Sequence, residues 1–276
     1  MGSTSALLTE FPAIEVEIGE DEAEPTRRQL MAEPVRAHLV ANARYHDTDF
    51  ARLELLKLLG EHPDVRTTVA ATFGDLKSMA KADFLITYTC DLRPTPEEEA
   101  ALAAFVSSGG RWIALHATNA ILDFGPDGVR CSREYDSFMD TMGSRFVAHP
   151  SIEPYEVRVS DPTHPLVAGI EPFLATDELY LCEYHGDIHP LLETSFTGTF
   201  KSGYIENEWP DEEPRLVAYT HPVGDGEVLY ITLGHCCGTH DMRPLQNEAE
   251  VVRGSWEHPT FTELLRRSLH WAQGTL

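Results

Sequence analysis

Apolar residues return along this chain in two rhythms. Short apolar runs at Arg36–Val40, Val65–Ala70, Phe84–Tyr88 and Trp112–Leu115 alternate with stretches in which apolar positions recur every three or four residues. The runs read as strands covered on both faces and the stretches between them as amphipathic helices. In the first helix Phe50, Leu53, Leu56 and Leu59 form the stripe, Thr48 or Asp49 is the expected cap, and Gly60 the stop. In a later one, Thr95-Pro96-Glu97-Glu98 supplies a hydroxyl cap, a proline at the first position and acids in the first turn, and Leu102, Phe105 and Val106 face inward. Strands and helices alternating over short connections predict a doubly wound α/β sheet with parallel strands.

Beyond Asn119 the rhythm loosens. The pattern predicts a helix over Arg133–Met142 ended by Gly143, a loop over Phe146–Pro150, and strands at Glu156–Val159 and Asp177–Leu181. A hairpin joins Leu216–Tyr219 to Glu227–Leu233 through Pro222–Gly226, and a last helix spans Thr260–Trp271. The sheet is therefore expected to be mixed, mostly parallel with a C-terminal antiparallel hairpin. Residues 1–34 are acidic and irregular and read as a mobile or loosely docked arm, with Ala13–Ile18 alternating like a short edge strand. Residues 35–276 are expected to form one α/β domain.

Charge narrows the partners. A formal net charge of -24 over 276 residues repels nucleic-acid phosphates and anionic membranes and suits a neutral or cationic small molecule. No apolar run approaches the ~20 residues needed to cross a bilayer, and no secretory leader is evident. The five cysteines include no CxxC pair. Together these features imply a reduced, cytoplasmic protein; the oligomeric state is open, a homo-oligomer included.

The candidate chemistry gathers where strands end. His116 follows Trp112–Leu115, and His46 and His235 also follow apolar runs. In open α/β sheets, sites form outside the carboxyl ends of the strands. The three histidines should therefore open onto one edge, although each alone is equally well read as a packed imidazole bonded to a carbonyl. Cys236 beside His235 is a potential thiolate nucleophile, but a buried structural cysteine is commoner. Tyr204 or Trp209 could stack on a sugar ring from the polar loop 197–213, although incidental surface aromatics are the simpler reading.

Several short motifs resemble, in order, those of the ThuA-like (trehalose utilisation) proteins. They are Tyr45-His46-Asp47, Leu115-His116-Ala117, Phe146 with His149-Pro150, His164-Pro165-Leu166, Asp177-Glu178-Leu179-Tyr180, Gly224–Tyr230 leading to Leu233-Gly234-His235, and the ending Trp271-Ala272-Gln273-Gly274. The resemblance implies a flavodoxin-like, class I glutamine amidotransferase-like three-layer sandwich and a role in sugar metabolism on oxidised (3-keto) disaccharides or glycosides. Amidotransferases of this fold carry a cysteine nucleophile where this chain has His116, so glutamine hydrolysis is not expected. His116, His46, Glu178, His149 and His235 become the candidate catalytic set, and Asp47, Thr118, Asn119 and Tyr180 the candidate substrate contacts. Two uses of the histidines compete. Metal-free acid–base chemistry on a keto-sugar is preferred; a divalent metal such as zinc on His46, His116 and His235 is the alternative. A non-catalytic sugar-binding or regulatory module on the same fold is the reading from another class.

Overall fold

The computed structural model describes residues 33–276; all but the last two residues of the acidic arm, and the strand expected at Ala13–Ile18, lie outside them. The chain begins with β1 (Val35–Ala43), α1 (Thr48–Gly60), β2 (Val65–Ala70), α2 (Leu76–Met79), β3 (Phe84–Cys90), α3 (Pro96–Ser107) and β4 (Arg111–Leu115). A hairpin of β5 (Leu122–Gly125) and β6 (Gly128–Cys131) follows, then α4 (Asp136–Met142), β7 (Ser144–Ala148), β8 (Glu153–Val159), β9 (Phe173–Asp177), β10 (Leu181–Tyr184) and β11 (His189–Ser195). A two-residue pair, β12 (Gly198–Thr199) and β13 (Glu208–Trp209), precedes β14 (Pro214–Val223), β15 (Gly226–Ile231) and α5 (Pro259–Ala272).

Nine strands form the main sheet in the order β2-β1-β3-β4-β15-β14-β11-β8-β9. From β2 to β15 neighbours run parallel; from β15 to β9 every pairing is antiparallel. The expected α/β class is the observed one, and the antiparallel part extends past the hairpin by three strands. Side-chain alternation along β4 explains the layers. Ile113 and Leu115 share an apolar cleft with Leu55 and Leu58 of α1 and Leu265 and Leu269 of α5. Trp112 points the other way, with its ring centroid 5.7 Å from Phe138 of α4 and its indole N–H on Thr87 Oγ1 at 2.9 Å. Helices thus cover both faces of the sheet, and one continuous cluster of buried apolar side chains fills both interfaces.

Local chemistry set most boundaries. Thr95 and Glu98 close a reciprocal capping box on α3, with Pro96 in the first turn. Gly109 after α3 takes φ +104°, as expected of a glycine past a helix end. The cap of α1 is Asp47, which accepts from Phe50 N at 3.0 Å, rather than Thr48 or Asp49. Thr48 instead accepts from Ala43 N at 2.9 Å and locks the turn out of β1. The stretch read as a loop at Phe146–Pro150 is largely strand, because β7 pairs with β10 in a separate ribbon. The strand expected over Asp177–Leu181 is interrupted: the chain leaves the main sheet at Asp177 and enters that ribbon at Leu181. Among the described residues no helix is long and apolar enough to cross a membrane.

Candidate functional site

The carboxyl ends of β1, β3 and β4 open onto one cavity of about 220 Å³. Its floor holds His46, Glu178 and His235, with His149 and Tyr180 beside them, and aromatic rings including Tyr45, Phe124, Phe146 and Tyr204 form its walls. The turns that deliver these side chains are strained. Among the described residues, the three non-glycine residues with positive φ are Tyr45 (+70°), Asp91 (+52°) and His116 (+48°), each just past the end of one of these strands. Left-handed backbone at a non-glycine residue costs energy and persists where the surrounding structure fixes it.

His116 lies beneath the cavity floor, completely buried. Its Nδ1 is 2.7 Å from the carbonyl of Thr232, and Tyr230 O–H donates to its own carbonyl at 2.6 Å. His46 Nδ1 is 2.8 Å from the carbonyl of Arg44. A carbonyl only accepts, so both Nδ1 atoms carry the proton and both Nε2 atoms are left with bare lone pairs in the neutral rings. Those two Nε2 atoms face each other at 2.9 Å. Glu178 reaches three imidazoles: His116 Nε2 at 3.4 Å, His149 Nε2 at 3.4 Å and His235 Nδ1 at 3.2 Å. His235 Nδ1 lies off the hydrogen-bonding direction from that carboxylate, and among the described residues it is buried without a hydrogen-bond partner. Tyr180 O–H lies 3.3 Å from His116 Nε2.

The electrostatics follow from burial and crowding. Burial and the neighbouring charges of His116 and His235 hold the His46 imidazole well below its usual range. Burial also lowers His235. For His116, burial opposes protonation, but the hydrogen bond and charge of Glu178 outweigh it and raise the ring. Burial pushes the Glu178 carboxyl up, yet His149, His235 and His116 together pull it well below the usual carboxylate range. One carboxylate among several imidazoles thus favours its charged form.

A clamp that was not singled out from the sequence holds the cluster together. Asp177, buried at the end of β9, accepts four backbone N–H groups: Glu178 at 2.8 Å, Gly234 at 2.9 Å, His235 at 3.1 Å and Ser255 at 3.2 Å. This is why the chain breaks out of the strand after Asp177, and it ties the segment carrying Glu178 to the one carrying His235. Gly234 takes φ +124° there, and its carbonyl accepts from Trp256 Nε1 at 2.7 Å and Tyr88 O–H at 2.9 Å. The only signal in the sequence was the acid pair Asp177-Glu178, of which one member joins the imidazole cluster and the other holds backbone.

Of the residues expected to meet a substrate, Tyr180 lines the cavity. Asp47, Thr118 and Asn119 are not among its lining residues. Asp47 caps α1 and pairs with Arg253 at 3.1 Å. Thr118 bonds to the Leu115 carbonyl at 2.7 Å and Asn119 to Ser144 Oγ at 2.8 Å and Tyr230 O–H at 2.7 Å, all inside the protein. Their position one turn past His116 placed them near the site in sequence, but the 3-10 turn at His116–Asn119 directs them into the core. Tyr204 lines the cavity, whereas Trp209 packs under Arg215. Cys236 is buried, its thiol is pushed up to about 12 chiefly by that burial, and Tyr88 O–H lies 3.2 Å from its sulfur. That environment suits a packed cysteine and not a thiolate nucleophile.

A sequence model of the ThuA family, described as trehalose utilisation, matches residues 38–248. No curated protein matches the chain in sequence. Among solved structures, a ThuA-like protein from Bacteroides uniformis superposes with a TM-score of 0.62 at 16% identity, covering 88% of this chain and 92% of that one. A ThuA-like protein from Parabacteroides merdae gives 0.57 at 17% identity, with 88% and 91% covered. The β-galactosidase of Rahnella sp. R3 gives 0.54 at 13% identity; 88% of this chain matches 32% of that much longer one. At these identities the superpositions establish a shared fold.

Proposed function

The chain belongs to the ThuA (trehalose utilisation) family, and from that membership we propose that it is an enzyme acting on a neutral sugar or sugar derivative in the cavity above His46, Glu178 and His235. The observation that carries the reading is the convergence of three imidazoles and a carboxylate at the floor of an aromatic-walled cavity. Aromatic faces suit the apolar side of a sugar ring. Among the described residues no arginine or lysine lines the cavity, so a phosphorylated sugar would meet Glu178 with no compensating cation. At about 220 Å³ the cavity lies below the ~300–1,000 Å³ usual for larger ligands. It therefore takes one ring of a substrate and leaves a second ring at the mouth.

The chemistry this arrangement supports is proton transfer next to a carbonyl. The substrate carbonyl sits over the cluster floor. His149 donates through Nδ1 to the Pro150 carbonyl at 2.7 Å, which leaves its Nε2 as an acceptor facing the cavity. It takes the proton from the carbon beside the carbonyl, and the C–H electron pair passes into the new C=C bond and onto the oxygen. Returning the proton to a neighbouring carbon gives isomerisation; expelling a group from the next carbon gives elimination. His116, closed off from the cavity, acts by positioning His46 and Glu178. The test is deuterium exchange from solvent into a 3-keto-glucoside followed by NMR, with unoxidised and phosphorylated sugars as comparisons. His149→Ala should slow exchange by ~10²–10⁴. Exchange that ignores this variant refutes the assignment, and tight binding of a neutral sugar with no exchange or turnover makes the protein a binding module.

A further inference from the structure

We propose that His46, His116, His235 and Glu178 form a divalent cation site, with zinc as the metal their donor set fits best. The inference rests on where the ring lone pairs point; Tyr180 O–H, 3.3 Å from His116 Nε2, is a long-range donor to one of them. His46 and His116 each donate Nδ1–H to a backbone carbonyl and present bare Nε2 atoms to each other at 2.9 Å. Two lone pairs at that distance repel unless something positive lies between or beside them. His235, with its side chain 6% exposed, brings to the same place a third ring nitrogen with no hydrogen-bond partner among the described residues. Glu178 supplies the anionic oxygen. One donor atom from each of the four residues lies within 4.8 Å of all the others.

A single proton between His46 and His116 would relieve that pair but would leave His235 Nδ1 unsatisfied. A cation satisfies all four donors at once. Bonds of about 2.0–2.1 Å in a tetrahedron place ligand atoms roughly 3.3 Å apart. The separations of 2.9 Å between His46 and His116, 3.2 Å between His235 and Glu178 Oε1, and 3.4 Å between His116 and Glu178 Oε2 lie near that value. The outer contacts also match what a metal-binding imidazole uses: the second ring N–H of His46 and of His116 is held by a backbone carbonyl, which fixes tautomer and ring orientation. Asp177 does the same for the backbone of His235 and Glu178. Three neutral imidazoles and one carboxylate leave a divalent ion with a net charge of +1, and borderline nitrogen and oxygen donors favour zinc over magnesium or calcium. Because His46, His235 and Glu178 line the cavity floor while His116 lies below it, the ion would sit at the cavity floor, and a substrate oxygen would reach it by expanding four coordination to five. There the ion would polarise a substrate oxygen.

This deepens the reading of the site as a reactive centre, yet it is tested on the protein alone. The full chain, stripped with chelator and dialysed, is titrated with Zn²⁺ and separately with Co²⁺, with metal content and the visible Co²⁺ spectrum as readouts. The expected result is one equivalent retained per chain, with the intense visible bands of four-coordinate Co²⁺, and affinity at least ~100-fold weaker in His46→Ala and in His235→Ala, beyond the ~10–100-fold typical of outer-shell changes. The surface pair His164 and His189, whose rings are 5.5 Å apart, is removed in a control variant that should keep the full equivalent. No stoichiometric metal on the wild-type protein overturns the proposal even if every variant misfolds, and so does metal that survives the loss of His235 but not of His164 and His189. Exchange of keto-sugar protons by a protein that retains no metal equivalent sinks the cation and spares the sugar reading; a full metal equivalent with no sugar reaction does the reverse.

Discussion

The Asp177→Asn variant isolates the clamp that holds the site. Asparagine has nearly the same shape, so it opens no cavity. It does replace one acceptor oxygen by an NH₂ group that cannot accept. Oδ1 of Asp177 serves Glu178 N and His235 N, and Oδ2 serves Gly234 N and Ser255 N. Whichever way the amide turns, two buried N–H groups lose their acceptor and face a donor. At about 1–3 kcal/mol for each buried donor left unsatisfied, the expected loss is about 2–6 kcal/mol. That is a large part of the roughly 5–15 kcal/mol that stabilises an ordinary domain. Urea unfolding of the full chain followed by tryptophan fluorescence measures it, as a lower midpoint at unchanged slope. The folded fraction should also lose reaction rate, because either orientation of the amide releases an N–H of the Gly234-His235 segment, and one of them releases Glu178 N as well. A stability loss below about 1 kcal/mol would show that water or backbone movement replaces the carboxylate, and the clamp argument would fall.

Two further expectations follow from local geometry. Gly234→Ala places a Cβ at a backbone φ of +124°, with Phe261 Cζ 3.4 Å and His116 Cβ 3.6 Å from it; strain in that region costs about 1–3 kcal/mol, measurable in the same urea titration, and an unchanged midpoint would refute it. Burial pushes the Cys182 thiol up to about 12, so at pH 8 the folded protein should leave Cys182 unmodified by iodoacetamide while urea-unfolded chain reacts; peptide mass spectrometry reads the difference, and equal labelling would contradict it.

What could be read from the sequence depended on how local the cause was. The capping box at Thr95 and Glu98, the parallel strands and the C-terminal helix are written in nearby residues, and all are present. The convergence of His46, His116 and His235 was legible because a parallel sheet sends all its strand ends to one side, which requires topology but no side-chain detail. The failures have distant causes. Phe146–Ala148 becomes a strand only because Leu181–Tyr184 arrives to pair with it, and no property of residues 146–148 announces that partner. Thr118 and Asn119 turn away from the cavity because His116 has a positive φ and a 3-10 turn follows. Periodicity carries no information about either. Asp177 was missed because its acceptors reach backbone N–H groups as far away as Ser255, which the sequence cannot place.

The strain at the site and the regularity of the sheet are two sides of one arrangement. Strands β1, β3 and β4 are paired in parallel on both edges and buried on both faces, so their ends are fixed in position before any turn is made. At those ends Tyr45, Asp91 and His116 adopt left-handed conformations that would relax in a looser context. Each has a specific restraint: Asp91 binds Arg44 at 2.8 Å and Leu122 N at 3.0 Å, His116 is held at both its ring and its carbonyl, and Tyr45 lies 4.7 Å under the Arg44 guanidinium. The left-handed turn at His116 keeps its ring next to His46 rather than continuing the strand direction over the cavity. A chain that only needed to pack would relieve these turns with glycine, as it does at Gly109 and Gly234. Keeping bulky, polar or titratable residues there makes sense if their side chains are required where the strained backbone puts them. Replacing Asp91, which never enters the imidazole cluster, by glycine then separates the two demands: the strain is removed while the Arg44 and Leu122 anchors are lost, and the site should suffer more than the fold.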